Sequence, residues 1–478
     1  MRKFLLPVIA TITVLAGCTL APKYEQPAAP VASAWPPNLV TQTTTNAALP
    51  AADIGWRQIF NDPRLVKLIE LSLQNNRDLR IALLNVEESR AIYRIQNSAL
   101  YPTLDANAGG TRQRVPGDIA GTGKAVTVSQ YYVNAAVTAY ELDLFGRVRS
   151  LKAQALNRFL ATDQARRSVH IALVSEVAIQ YLIERELAEQ LEVARQTLKA
   201  VESSYELTQR SFENGVANEL DLRSAEAQVQ TARANVASLE QLRAQAENAL
   251  VLLVGQPLPP DLPSPLPLEA QRLLADLPAG LPSDLLQRRP DILAAEYQLK
   301  AANANIGAAR AAFFPRVFLT GAIGQSSLRL EDLFEGPARA WSFSPQITVP
   351  IFDAGNNRAN LDVAKVRTQL EVANYERTIQ IAFREVADAL VVRSMIENQI
   401  AAEVALVNAE QQRYNLAEIR YRNGVDSYLN VLSAQRDLYA AQQRLIQTRT
   451  SRLSNLVTLY KALGGGWLER TDYLASQK

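Results

Sequence analysis

Residues 214–239 read NGVANELDLRSAEAQVQTARANVASL, and residues 423–448 read NGVDSYLNVLSAQRDLYAAQQRLIQT. The two stretches align without a gap at an offset of 209, sharing Asn-Gly-Val, Leu220 with Leu429, and Ser224-Ala225 with Ser433-Ala434. The match extends over Tyr205–Gly255 and Tyr414–Gly464, and Gly146 pairs with Gly355 at the same offset. Upstream, Asp78 and Tyr101-Pro102 match Asp291 and Phe314-Pro315 at an offset of 213, so a four-residue length change lies between Pro102 and Gly146. A period of about 200 residues is far longer than any solenoid repeat. The chain reads as two copies of one folded unit.

In both stretches apolar residues return at alternating steps of three and four: Leu222, Ala225, Val229, Ala232, Val236, Leu239, then Val431, Ala434, Leu438, Ala441, Leu445, Thr448. That is the spacing of a coiled-coil seam, and alanine at every second position lets helices approach closely. A short heptad run inside an ordinary bundle gives the same pattern. Asn-Gly at 214–215 and 423–424 ends the preceding helix, the glycine being free to turn left-handed.

Proline placement divides each copy. None occurs between Pro116 and Pro257 or after Pro350, whereas nine of 23 lie from Pro257 to Pro290 and five from Pro22 to Pro37. The first cluster marks the joint between the copies and the second an extended tether. Each copy is therefore expected to run short helix, two strands, very long helix, short helix. Asn356–Arg422 holds 67 residues without proline, roughly 100 Å at about 1.5 Å per residue. The shorter helices, Arg64–Leu100 and Glu219–Val254, together nearly equal that length and can pair with it end to end, as in the wall of an elongated tube.

The strands fall between Pro102 and Gly146 and between Pro315 and Gly355. Tyr132, Asn134, Ala136, Thr138 and Tyr140 alternate with Val133, Ala135, Val137 and Ala139; Val317, Leu319, Gly321 and Ile323 alternate with Phe318, Thr320 and Ala322. Such alternation fits either an antiparallel sheet or a membrane barrel, with Trp341, Phe343 and Phe352 as aromatic-girdle candidates. Two strands per copy give four per chain, and a barrel needs at least about eight. Several chains must contribute, most simply in a cyclic oligomer.

The N-terminus favours the barrel. Arg2 and Lys3 precede an uncharged run, Phe4 to Ala16, that ends in Leu15-Ala16-Gly17-Cys18. This is the form of a secretory signal, and it resembles a bacterial lipobox, which implies a lipid on Cys18 and, with Thr19 next, sorting to the outer membrane. Cys18 is the chain's one cysteine and His170 its one histidine. A disulfide framework and a Cys/His zinc cage are excluded, and His170, inside a long helix, reads as an ordinary helix residue. Lys and Arg number 50 against 48 Asp and Glu, leaving no basic surplus for nucleic acid. Gly464-Gly465-Gly466 lacks the lysine and spacing of a phosphate loop and reads as a helix terminator. No metal, nucleotide or other cofactor is expected, and no enzymatic activity.

Four further segments carry a family resemblance: Gly55-Trp56-Arg57, Tyr140–Gly146 (YELDLFG), Asn303–Pro315 (NANIGAARAAFFP) and Tyr460–Trp467 (YKALGGGW). Together they resemble the TolC-like outer-membrane efflux ducts, in the lipoprotein branch similar to OprM and MtrE. The resemblance covers essentially the whole mature chain. It implies an α+β membrane protein, a homotrimer whose 12-strand β-barrel stands on a long α-helical periplasmic tunnel in a Gram-negative outer membrane. It also implies two partners, a periplasmic adaptor and an inner-membrane pump of the resistance–nodulation–division type. The expected division is a signal peptide at 1–17, an anchor and tether at 18–60, a first repeat at 61–256, a proline-rich joint at 257–283, a second repeat at 284–466 and a tail at 467–478. Two alternatives stand beside multidrug efflux: a duct for type I protein secretion, and a non-conducting coiled-coil lipoprotein that would not need the four strands.

For the helix tips the resemblance implies a periplasmic gate. Tyr421 has Phe212 as its counterpart and Asp221 has Asn430, so the Tyr421–Asp221 hydrogen bond that the resemblance implies between neighbouring helix pairs uses a phenolic donor found only in the second copy and a carboxylate found only in the first. Leu429 matches the family's apolar constriction. Asp426, Ser433 and Arg436 complete the candidate gate. Asn430 and Ser433 stand where relatives often carry carboxylates, which favours steric closure at Leu429 over an aspartate ring. Plain helix packing is the competing reading.

Overall fold

The computed structural model describes residues 19–32, 34–35, 49–121, 123–271 and 282–471. The signal peptide and Cys18 lie outside the described residues, as do parts of the tether, the joint and the tail. The main elements are α1 (Pro63–Asn75), α2 (Arg77–Ser98), β1 (Asp105–Val115), β2 (Val126–Leu142), α3 (Arg147–Glu213), α4 (Glu219–Val254), α5 (Pro290–Ala311), β3 (Arg316–Ser327), β4 (Arg339–Thr348), α6 (Asn356–Arg422) and α7 (Tyr428–Ala462). Short helices at Trp56–Ile59 and Pro282–Arg288 precede each copy. No helix among the described residues is long and apolar enough to cross a membrane.

The order matches the sequence reading except that Arg64–Leu100 is two helices. Asn76 breaks it: extended backbone there ends α1, and its side-chain oxygen accepts the Leu79 N–H at 2.9 Å while its amide donates to the Leu253 carbonyl at 2.9 Å. Asparagine is a strong N-cap because its side chain replaces a backbone partner. The break also admits Gly255, at φ 77° the left-handed cap of α4, whose missing Cβ would stand 2.5 Å from the Asn75 carbonyl oxygen.

The chain forms two compact units that cut across the sequence repeat, each taking segments of both copies. Of the described residues, the first holds those within 19–28, 85–163 and 294–376. Its four strands form one antiparallel sheet in the order β1-β2-β3-β4. The central pair joins the copies, with Ala136 opposite Ala322 and Leu142 opposite Val317, and a bulge between Val137 and Tyr140. At the bulge Ala139 takes φ 51° and donates its N–H to Thr320 Oγ1 at 3.1 Å. Among the described residues both outer strands keep an unpaired edge, and every residue of β4 is exposed, Trp341 and Phe343 included.

The helices leave the sheet through capped turns. Asp143 accepts the N–H groups of Val148 and Arg149 at 3.0 and 2.9 Å, and Glu141 binds Arg147 through two bonds of 2.8 and 2.6 Å. Asp353 serves α6 likewise, accepting from Gly355 and Asn357. The segment after residue 18 lies along α5, where Asn303 donates to the Pro22 carbonyl and Arg310 to the Leu20 carbonyl.

The second unit holds residues 29–84, 164–293 and 377–478. Its core gathers Trp56, Ile59, Phe60, Leu65, Leu68, Ile69, Tyr181 and Tyr460. Buried Asp62 caps α1 through the Arg64 N–H at 2.8 Å and accepts the Tyr181 hydroxyl and the Gln271 amide, both at 2.5 Å. It thereby ties the proline-rich joint to α1 and α3. Gly55-Trp56 runs against 468–470, the Trp56 N–H donating to the Leu468 carbonyl at 2.9 Å. Gly464 turns at φ 84° after α7, so the triple glycine ends a helix. His170 is half-buried, edge-on to Trp467 at 4.8 Å, and loss of solvent, with Arg166 nearby, lowers its pKa to about 4.

Candidate functional site

Both hairpins turn through the same device. After α3, Gly215 at φ 72° folds the chain back, with the Val216 N–H on the Ser211 carbonyl at 2.8 Å. After α6, Gly424 at φ 68° repeats it, with the Val425 N–H on the Arg420 carbonyl at 2.9 Å. The seams then bury as spaced. Ala225, Val229, Ala232 and Leu239 are buried on α4, and all six seam positions from Val431 to Thr448 are buried on α7.

The first residues of α4 and α7 differ. Asn218 caps α4, its Oδ1 accepting the Asp221 N–H at 2.8 Å. Its counterpart Ser427 makes no side-chain cap bond. Asp426 gathers the local donors instead: its carboxylate accepts the Ser427 N–H at 2.9 Å, the Asn430 amide at 2.5 Å and the Arg420 guanidinium at 3.1 Å. The Arg420 bond, then those of Asn430 and Ser427, hold the Asp426 carboxyl below the usual range.

Tyr421 lies against Tyr428, the ring centroids 5.1 Å apart, and no hydrogen bond joins it to Asp221 among the described residues of the single chain. Tyr428 is 2% exposed and sits in a cluster with Ala225, Ala417, Val431 and Ala434, onto which Tyr205, Tyr414 and Tyr421 pack. Its hydroxyl is 3.1 Å from Ser204 Oγ. Burial raises its pKa, and the nearby charge of Asp221 adds to that rise. Tyr428 therefore joins the two hairpins, one partner being Ser204 of α3. Its position three residues before Val431 puts it on the seam face, a signal the sequence did carry.

Leu429 projects 69% exposed and its counterpart Leu220 75%, with Val216 and Val425 also exposed. Further along α7, Asp437 accepts Arg413 at 2.5 Å and Arg436 at 3.0 Å, which depress its pKa in that order. Arg413 also reaches the Ser433 carbonyl at 3.3 Å. Asp221, Tyr421, Asp426, Leu429, Ser433 and Arg436 thus stand in the tip and first turns of the two hairpins, as the alignment placed them.

Comparison with known proteins follows the same duplication. The model of the outer membrane efflux protein family matches twice, over residues 68–256 and 281–465. The chain belongs to the outer membrane efflux protein family. Among its relatives, the antibiotic efflux pump outer membrane protein ArpC of Pseudomonas putida is 51% identical, the match covering 100% of this chain and 98% of that protein. The toluene efflux pump outer membrane protein TtgC, also of Pseudomonas putida, is likewise 51% identical over the same shares. The solved open-state MtrE outer membrane channel of Neisseria gonorrhoeae superposes with a TM-score of 0.86 at 42% identity, covering 95% of this chain and 100% of that one. An outer membrane efflux protein of this kind is a channel of α-helical tunnel and β-barrel, with its strands in the outer membrane.

Proposed function

We propose that this efflux protein is the exit duct of a tripartite system, taking cargo from an inner-membrane resistance–nodulation–division pump and a periplasmic adaptor. The observation that carries the reading is the sheet. Four strands with two open edges and an outer strand exposed on both faces cannot persist alone, because unpaired edges recruit further strands and a bilayer admits β-strands only in closed barrels. Three chains supply twelve strands and close both edges at once. Cys18 carries the lipid, residues 1–17 are removed, and 61–256 and 284–466 are the two structural repeats. Cargo belongs to the antibiotic and solvent classes, the relative ArpC being named for antibiotics and TtgC for toluene.

The candidate gate closes the periplasmic end. Leu429 from three chains forms a narrow dry ring, and a Tyr421–Asp221 bond holds the helix pairs together, worth about 1.5–3 kcal/mol with an ionised acceptor. Detergent-corrected light scattering on the full-length protein should give three chains per particle, and those particles should conduct ions in a planar bilayer. A conducting monomer, or a trimer that never conducts, would sink the duct.

A further inference from the structure

Helix α5 carries two opposed surfaces. Glu296, Asn303, Gly307 and Arg310 meet the N-terminal segment: Tyr24 donates to Glu296 at 3.1 Å, Asn303 to the Pro22 carbonyl at 2.9 Å and Arg310 to the Leu20 carbonyl at 3.1 Å. A Cβ on Gly307 would stand 2.7 Å from the Ala21 nitrogen, so that segment is seated directly on the helix. At about 100° per residue, Gln298 and Asn305 lie on the other side of α5. There they line a cavity of about 230 Å³ with Gln154 and Arg158 of α3 and Arg367 and Glu371 of α6.

The chemistry of that cavity is one-sided. Among the described residues, the side chains of Arg158, Arg367, Gln154, Gln298 and Asn305 have no ion pair or hydrogen bond, and the two exposed guanidiniums reach the cavity from different helices, α3 and α6. Two guanidiniums face one carboxylate, Glu371, leaving a positive surplus. Arginine presents a planar fork of donors that matches a carboxylate or a phosphate, and the three amides add neutral donors beside it. The single carboxylate keeps such a site weak, which suits a solute in transit, since conduction needs binding that also lets go.

We propose that this cavity is a luminal oxyanion site, taking the carboxylate or phosphate group of a passing solute. The luminal placement rests on the duct reading: residues 19–26 lead back to Cys18, whose lipid reaches the bilayer from outside a closed tube, so the opposite surface of α5 looks inward. Three chains then line one level of the tunnel with six arginines.

Calorimetry on the full-length protein in detergent, titrated with inorganic phosphate and separately with citrate, tests the site. Saturable binding of either anion is expected, weakened about tenfold by Arg158→Gln or Arg367→Gln and unchanged by Arg384→Gln, on α6 outside the cavity. A response to phosphate alone would assign a phosphate group, and to citrate alone a carboxylate. Reversal potentials across planar bilayers test the placement: in a salt gradient the Arg158→Gln, Arg367→Gln double variant should shift toward cation selectivity. Conducting trimers that bind neither anion, or whose binding ignores both substitutions, overturn the site while leaving the duct intact. Anion binding by particles that never conduct overturns the duct and the luminal placement with it.

Discussion

The two helix tips are copies of one sequence that have been put to different uses. At the first tip a backbone cap closes the helix: Asn218 satisfies the Asp221 N–H, and Glu219 is exposed. At the second, the counterpart of Glu219 is Tyr428, fully buried, and the counterpart of Ala217 is Asp426, which draws in Arg420 and Asn430. The turn itself, set by Gly215 and Gly424, is the same in both. Duplication kept the backbone device and let the side chains diverge, so that one tip is stabilised locally and the other across hairpins.

The sharpest test of that contrast is the pair Glu219→Ala and Tyr428→Ala. Removing a buried aromatic ring costs about 3–5 kcal/mol through lost burial and a residual cavity. Glu219, exposed in the first turn of α4 and paired with Arg223 at the surface, contributes about 0.3–1 kcal/mol through the helix dipole and that pair. Amide hydrogen exchange across residues 200–229 and 414–438 should therefore show the second hairpin opening in Tyr428→Ala, with the first hairpin loosening at Ser204, and little change in Glu219→Ala. Equal loss in the two variants would mean that Tyr428 is not the hub joining the hairpins.

Gating is the next contrast. Tyr421→Phe with Leu429→Ala should raise the conductance of reconstituted trimers and the entry of a large antibiotic into cells, by about ten- to hundredfold in open population. Leu220→Ala, the matching change at the first tip beside a residue that is already Phe212, should leave both nearly unchanged. If Leu220→Ala opens the duct as far as the double variant, the constriction belongs to both tips and the asymmetry fails.

Much of this was legible before any coordinates, and the reason is periodicity. The seam positions of α4 and α7 repeat often enough that burial follows spacing alone, and the strands alternate over enough residues to be placed. What escaped was set by single long-range contacts. The run Arg64–Leu100 holds Asn76 as a possible cap, its Oδ1 accepting the nearby Leu79 N–H, but what anchors the break there is the Leu253 carbonyl, far away in sequence. The four family segments read as motifs without a purpose until their partners were visible. Gly307 is small because residue 21 crosses it, and Gly55 because Glu469 and Arg470 do. Tyr428 was overshadowed by Tyr421, which it touches from the other side of the glycine turn.

A smaller effect separates the two caps. Asn218→Ala should cost about 1 kcal/mol, the usual loss when an N-cap side chain is removed. Ser427→Ala should cost a few tenths at most, since Ser427 makes no cap bond to lose. Local exchange at Asp221 and at Asn430 reports each change separately. Comparable losses at both sites would show that Ser427 caps α7 in solution and that the tips are more alike than their side chains suggest.

The weakest contrast is one of acidity, and its sign is set by the pKa directions. Asp426 and Asp437 are both held below the ordinary carboxylate range, the first chiefly by Arg420 and the second chiefly by Arg413. A carboxyl with a lowered folded pKa binds fewer protons folded than unfolded, so its contribution is fully present above the unfolded value of about 4. It fades as pH falls from there through the lowered folded value. The second tip should therefore lose protection on acidification below about pH 4, and Asp426→Asn combined with Asp437→Asn should remove that dependence. Because both carboxylates face solvent, screening keeps the effect small and salt should shrink it further. Protection factors corrected for intrinsic exchange, taken between about pH 6 and 3 at low and high salt, measure it. A second tip whose acid response survives in the double variant would place the titrating group elsewhere, and the ion pairs of Asp426 and Asp437 would then be surface decoration.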